Sequence, residues 1–411
     1  MRRAVEIVGW GLYLASSWTW CIGMFLPILL LRWWGWPGFV AFAVPNILGC
    51  VAFGYVFTPE TSRRFVARYA PSIRWFAWVT IAFQSWFGSW ADRRLGMQGL
   101  LGTSVNWADL CRLLPLLFLM FPGSGRFWMI AGTVCTAASF VLFSTNGLGA
   151  LNNPPVVGTM TPISLAWAAP FMAFGFLLCP VLDPTFHRAL QQSPSRHSFA
   201  VFGVAFAAQL LFAASTFNAA SGLMFVAWPI AAQLILQTTF TMCAMVSVTS
   251  PAALRSWRTA PAWLPKFIGR PSWAGFASVL ALPIVGMALG RFLLDLLTAI
   301  TVDVPVMMPA SELLASVSSL TSAGEATYMR CLGFYGIIFP AWLLLKLRRV
   351  PAAVAWPAIF VAAAAAERGM VGARTSFLLV SLGVIVIAAL WQSDNLIKEP
   401  EIAIEDGRSQ P

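Results

Sequence analysis

Twelve apolar runs, each about long enough to cross a hydrocarbon core, follow one another along the chain with short polar connections between them. They cover residues 8–31, 36–57, 73–91, 105–121, 127–145, 162–182, 198–220, 223–248, 273–298, 331–347, 351–366 and 375–391. The pattern predicts an all-α, polytopic membrane helical bundle of about 12 spans. The longest external connection, 300–328, holds Asp303, Glu312 and Glu325, and Ser311 with Glu312 would cap a short surface helix over 313–320. The tail from Gln392 is polar and acidic, a composition that predicts disorder.

Two of these spans carry interruptions. In the sixth, PISLAWAAPFMAFGFLLCPVLDPTFHRAL, Pro170 removes a backbone donor and Gly175 loosens the next turn, so helix is expected to fail over 169–175. In the first, ASSWTWCIGMFLP, Gly23 and Pro27 bracket a weak point, with Ser16, Ser17 and Thr19 just before it. Backbone groups freed inside a bilayer need protein partners, trapped water or a bound solute, so broken helices line cavities. A plain proline kink is the simpler alternative. The two interrupted spans lie five apart, an odd repeat inverts its topology, and paired discontinuous helices mark the central site of inverted-repeat transporters. The expected organisation is a transporter-like core over 1–350, with spans 1–5 and 6–10 as inverted repeats, two C-terminal spans over 351–391, and a disordered cytoplasmic tail over 392–411.

Composition agrees with a membrane setting. Of the 411 residues 59% are hydrophobic and only 10% charged, too little polar surface to cover a soluble globule of this size. The net charge of +11 does not point to nucleic acid, because the basic residues sit in short clusters between apolar runs. With the N-terminus cytoplasmic, 18 lysines and arginines fall on the inside and 8 outside or within spans, which fits twelve spans and both ends inside a bacterial-type cytoplasmic membrane. Arg93 with Arg94, and Arg368 with Arg374, break the rule. The first run follows Arg2 and Arg3 as a signal peptide would, but it continues to Leu31 without a convincing cleavage site and reads as a retained span. The seven cysteines are scattered singly in apolar runs and read as small hydrophobes. His187 and His197 share one polar loop, so no span offers an axial imidazole for haem.

A central site would draw backbone from residues 20–24 and 169–173. Trp18, Trp20, Cys21, Ile22, Gly23, Met24, Gln84, Ala169, Phe171, Met172 and Phe174 are the candidate solute-binding residues. Spans one to three and five to eight hold almost no ionisable group, which disfavours a proton relay. Hydroxyls of Ser17, Thr19, Thr238 and Thr241 offer hard neutral oxygens for a cation such as sodium, Thr238 and Thr241 lying three apart on one helical face. Threonines bonding back to the preceding turn explain the same spacing. Arg291 and Asp295, four apart in span nine, form a structural pair or a gate contact.

The segment leaving span six, LDPTFHRAL at 182–190, resembles the D-x-x-x-x-Q-R-x-L-A stretch of sodium:solute symporters. Asp183 and Arg188 stand in matching places; His187 replaces the glutamine and Ala189-Leu190 follow in permuted order. The resemblance implies the leucine-transporter-type (amino acid-polyamine-organocation) fold, with Asp183, His187 and Arg188 as a cytoplasmic gate motif, although a plain helix cap and a lipid-facing arginine account for the same residues. The leading expectation is a sodium-coupled secondary transporter of a small organic solute, with no enzymatic activity, cofactor or metal beyond a Na+ coupling ion, and with partners limited to solute and lipid bilayer. The alternatives are a polysaccharide ligase or polymerase using Arg291, Glu312, Glu325 and Arg330, with the acids as general bases, and a non-transporting membrane sensor.

Overall fold

A computed structural model describes residues 2–19, 21–94, 114–115, 118, 123–145, 158–215, 217–218, 223–224, 228–249 and 323–391. Apart from an antiparallel bridge pairing Phe217–Asn218 with Leu223–Met224, the elements among them are helices. They are α1 (Arg2–Trp18), α2 (Cys21–Trp34), α3 (Trp36–Val56), α4 (Pro59–Arg94), α5 (Gly125–Thr145), α6 (Pro162–Leu178), α7 (Pro184–Gln192), α8 (His197–Ser215), α9 (Trp228–Thr249), α10 (Ala323–Gly333), α11 (Phe339–Leu347), α12 (Ala352–Met370) and α13 (Ser376–Leu390). A 3₁₀ turn at Cys179–Leu182 joins α6 to α7, and a π-turn at Phe334–Ile338 joins α10 to α11.

Helix therefore occupies ten of the twelve predicted runs. Most of the fourth run, the whole of the ninth, the 300–322 connection and the tail from Gln392 lie outside the described residues. Among the described residues six helical segments are long and apolar enough to cross a membrane, and α1 with α2, bent by 64°, makes a seventh as one broken span. Large apolar side chains face outward along them, among them Val44 and Leu48 of α3, Val204 of α8, and Phe360 and Val361 of α12. A water-facing surface would penalise that band, and hydrocarbon does not.

The α1–α2 segment is the hub. α1 packs on α5 and α8, and α2 on α3 and α8. α3 packs on α6, α9 on α4 and α5, and α12 on α13. Small residues set the closest approaches. A Cβ on Gly175 of α6 would come within 2.8 Å of Gly336 Cα and Tyr335 O in the π-turn, so the two glycines let one backbone lie against the other. This corrects the expected role of Gly175: it is a packing position, and α6 runs without a break from Pro162 to Leu178 through Pro170.

The interruption itself falls elsewhere than the weak residues suggest. Span one breaks between Trp18 and Cys21, ahead of Gly23 and Pro27, both of which α2 incorporates. Span six is not interrupted: it runs to its expected end, where the chain tightens into the 3₁₀ turn over Cys179–Leu182 and Asp183 turns extended (φ −78°, ψ 116°) to begin α7. Proline is tolerated where neighbouring helices supply alternative partners; the chain opens where tertiary hydrogen bonds capture its carbonyls.

Candidate functional site

The break in span one adjoins the turn that ends span six. Thr185 Oγ1 at the start of α7 lies 3.1 Å from Ser17 Oγ at the end of α1, and Trp18 meets Phe186 edge-on with ring centres 5.0 Å apart. Between them a void of about 10 Å³, room for roughly one water, is lined by Trp18, Ile22, Gly23, Asn46, Phe176, Cys179 and Tyr335. Trp18 Nε1 donates to Asn46 Oδ1 at 2.9 Å, Cys179 Sγ to Tyr335 O at 3.1 Å, and Tyr335 Oη to Thr80 Oγ1 at 3.0 Å.

Carbonyls at the break are held from other helices. Ser16 O accepts from Gln237 Nε2 and, at 3.3 Å, from Thr241 Oγ1, both in α9. Cys21 O accepts from Tyr328 Oη of α10 at 3.1 Å. Thr19 Oγ1 donates to Ala15 O at 2.7 Å and touches Gln209 Oε1 of α8. On the α5 side, Ser16 Oγ lies 2.6 Å from Thr136 Oγ1, which donates to Leu12 O at 2.8 Å. Neutral oxygens from α1, α5, α8 and α9 thus converge on the end of α1.

Asp183 caps α7, accepting from Thr185 N at 2.7 Å and Thr185 Oγ1 at 2.6 Å. It is fully buried and its second oxygen has no hydrogen-bond partner. Burial pushes its carboxyl up to about 7, against the opposing hydrogen bonds from Thr185 and Phe186. Arg188 does not pair with it. Five residues on, it leaves α7 on another side, donates to Ser247 Oγ of α9 at 2.8 Å and lies over the Trp128 ring of α5 at 5.5 Å. The expected Asp183–Arg188 gate bridge is therefore absent. The cap reading describes Asp183, and Arg188, only 8% exposed, faces protein.

His187 completes a directed chain. Its Nε2 lies 2.9 Å from Val181 O, so that nitrogen carries the proton, and Nδ1 then accepts from Ser62 Oγ at 2.8 Å. Ser62 in turn accepts from Gln191 Nε2 at 2.9 Å. Burial holds the imidazole down at about 4. The chain binds α7 to the start of α4.

The expected solute residues divide. Trp18, Ile22 and Gly23 line the void at the break, whereas Phe171 and Met172 line a separate cavity at the far end of α2. Cys21 and Met24 are buried in the core, and Ala169 and Phe174 are half-buried on α6, lining neither space. Gln84 is buried in α4, and neither of its amide atoms has a hydrogen-bond partner. Trp20, Arg291, Asp295 and Glu312 lie outside the described residues. Among the expected cation ligands, Thr241 reaches the break, Ser17 and Thr19 belong to it, and Thr238 bonds back to Leu234 O at 2.8 Å. The simpler back-bonding account holds at all four: Ser17 bonds back to Leu14 O at 3.1 Å, Thr19 to Ala15 O, and Thr241 to Gln237 O at 3.0 Å, closer than its 3.3 Å contact with Ser16 O. Sequence reasoning missed Thr136, Thr185, Tyr328 and Tyr335. Only the first had a visible signal, the three-residue spacing of Thr133, Thr136 and Ser139 in α5.

No protein-family model matches the sequence, and no curated protein or solved structure matches it significantly. Among the described residues no group of three or more His, Cys, Asp or Glu could hold a metal ion.

Proposed function

We propose that this protein is a secondary transporter of a small organic solute, working by alternating access around spans one and six and coupled to sodium. The observation that carries the reading is the meeting of the break in span one with the turn that ends span six, with Ser17 and Thr185 at 3.1 Å, in a core almost free of charge. Unwound carbonyls and hydroxyls at such a junction suit a hard monovalent cation. Ser16 O, Ser17 Oγ and Thr241 Oγ1 are the ligands proposed for it, and Trp18, Ile22 and Gly23 border the solute path. The spans are taken to number twelve, with the first ten as two inverted repeats and both termini cytoplasmic.

Two ties close the ends of this path. α7 is fastened through Arg188 to Ser247 and through His187 to Ser62. At the other end Arg32 of α2 grips both carboxylate oxygens of Glu325 in α10, at 3.0 and 2.7 Å. Because both oxygens are held, Glu325 suits a tie between helices better than a free general base.

The test is uptake into sealed proteoliposomes across a broad metabolite panel under an imposed sodium or proton gradient. Sodium-driven accumulation of at least one solute is expected, with Thr241→Val cutting its rate at least tenfold while the protein still folds. An empty panel under both gradients overturns transport, and accumulation unaffected by Thr241→Val overturns the assigned cation ligand.

A further inference from the structure

A cavity of about 490 Å³ lies away from the break, at the opposite end of α2. That size is typical of small-ligand pockets. Its depth is apolar, built by Leu26 and Leu30 of α2, Phe171 of α6, Met329 and Leu332 of α10 and Leu378 of α13. Its mouth is polar, with Arg32, Thr159 and Thr375 on the rim and Met370 and Ala373 from the α12–α13 turn beside them.

Charge around the mouth is unbalanced. Arg32 lines the mouth itself, and three more arginines neighbour lining residues in the chain: Arg330 follows Met329, Arg368 precedes Gly369, and Arg374 lies between Ala373 and Thr375. Glu325 pairs with Arg32 and Glu367 with Arg330 at 2.8 Å. Arg368 and Arg374 are exposed and, among the described residues, form no ion pair, so four cations against two anions leave a surplus of two. Arg368 and Arg374 are also two of the arginines that defy the cytoplasmic bias of basic residues.

We propose that this cavity binds an anionic lipid, its acyl chain lying against Leu26, Leu30 and Phe171 and its phosphate meeting Arg368 and Arg374 at the rim. An apolar trough explains the chain, and a cationic rim in the headgroup region explains the sign of the head. The site is separate from the break in span one and stands whether or not the protein carries a solute.

The experiment uses the purified, delipidated full chain titrated with phosphatidylglycerol, phosphatidylcholine and inorganic phosphate, with bound lipid counted by native mass spectrometry. One phosphatidylglycerol per chain is expected, bound in preference to phosphatidylcholine. Its affinity should fall about thirtyfold in an Arg368→Gln/Arg374→Gln variant, as loss of two interfacial cations requires. In a Cys111→Ser background, Met370→Cys should react with maleimide and be protected by phosphatidylglycerol, which reads occupancy without a bulky substitution. Equal binding of phosphatidylcholine, or unchanged affinity in the double variant, overturns the anionic specificity. Binding that leaves the introduced thiol reactive places the lipid outside the cavity and overturns the site, and protection by inorganic phosphate alone overturns the need for an acyl chain.

Discussion

Asp183 and His187 are both fully buried, and burial moves each toward its neutral form with opposite consequences for stability. Between about 7 and 3.8 native Asp183 holds a proton that its unfolded counterpart has released, so acidification through that window stabilises the fold. Between 6.5 and about 4 unfolded His187 gains a proton that the native ring refuses, so acidification there destabilises it. The two slopes offset in the wild type. His187→Gln should therefore yield a protein whose melting temperature rises as pH falls from 7 to 5, and Asp183→Asn one whose melting temperature drops over the same range. Parallel pH profiles for the two variants would contradict these assignments. Tyr328→Phe makes a different point: it removes a second donor from Cys21 O, whose helical partner remains, and the loss of that buried hydrogen bond should cost about 0.5–1.5 kcal/mol in unfolding measurements.

At the scale of elements, what distinguishes α6 is how closely it meets the π-turn. Gly175→Ala sets a methyl 2.8 Å from backbone atoms that cannot rotate away, and overpacking of this kind costs about 1–3 kcal/mol. Gly383→Ala in α13, where a Cβ meets nothing within 4 Å, should leave stability nearly unchanged or slightly raise it. Thermal unfolding of the pair in detergent separates tight packing from a general intolerance of substitution. The π-turn also presents Tyr335 to both the void and Thr80, so a shift of the α6 backbone should be felt at α4. α7 behaves as a short plug whose side chains reach α1, α4, α5 and α9, and its position follows from Asp183 as cap and from His187 and Arg188 as anchors.

For the whole molecule, the proposed topology assigns the α3–α4 turn to the cytoplasm and the α12–α13 turn to the outside. In a variant lacking Cys111, the cysteines of the described residues are all buried. A membrane-impermeant maleimide applied to intact cells should therefore label Arg374→Cys but not Thr58→Cys until the cells are opened. Labelling of both from one side would contradict the odd number of spans that the proposed topology sets between those turns.

The apolar runs alone located helix in ten places, because hydrocarbon demands long stretches of one character and sequence displays them directly, but not every end: α4 begins at Pro59 and α10 at Ala323, well ahead of the runs at 73 and 331, because helix continues through polar residues outside the apolar stretch. That span one is interrupted was also legible, from its proline, glycine and neighbouring hydroxyls, whereas the interruption expected within span six is not there, because α6 carries Pro170 and Gly175 in continuous helix. The position of the break was not. Pro27 and Pro170 mark weak helix, yet the chain opens between Trp18 and Cys21 and turns at the end of span six over 179–183, where Gln237, Thr241, Tyr328 and Asp183 bind backbone groups. All but Asp183 come from helices distant in sequence, and a helix in a membrane breaks where freed carbonyls find new donors. The separation of Asp183 from Arg188 and the gathering of α2, α6, α10 and α13 around one cavity are decided in the same way, by how helices pack and not by any local run of residues.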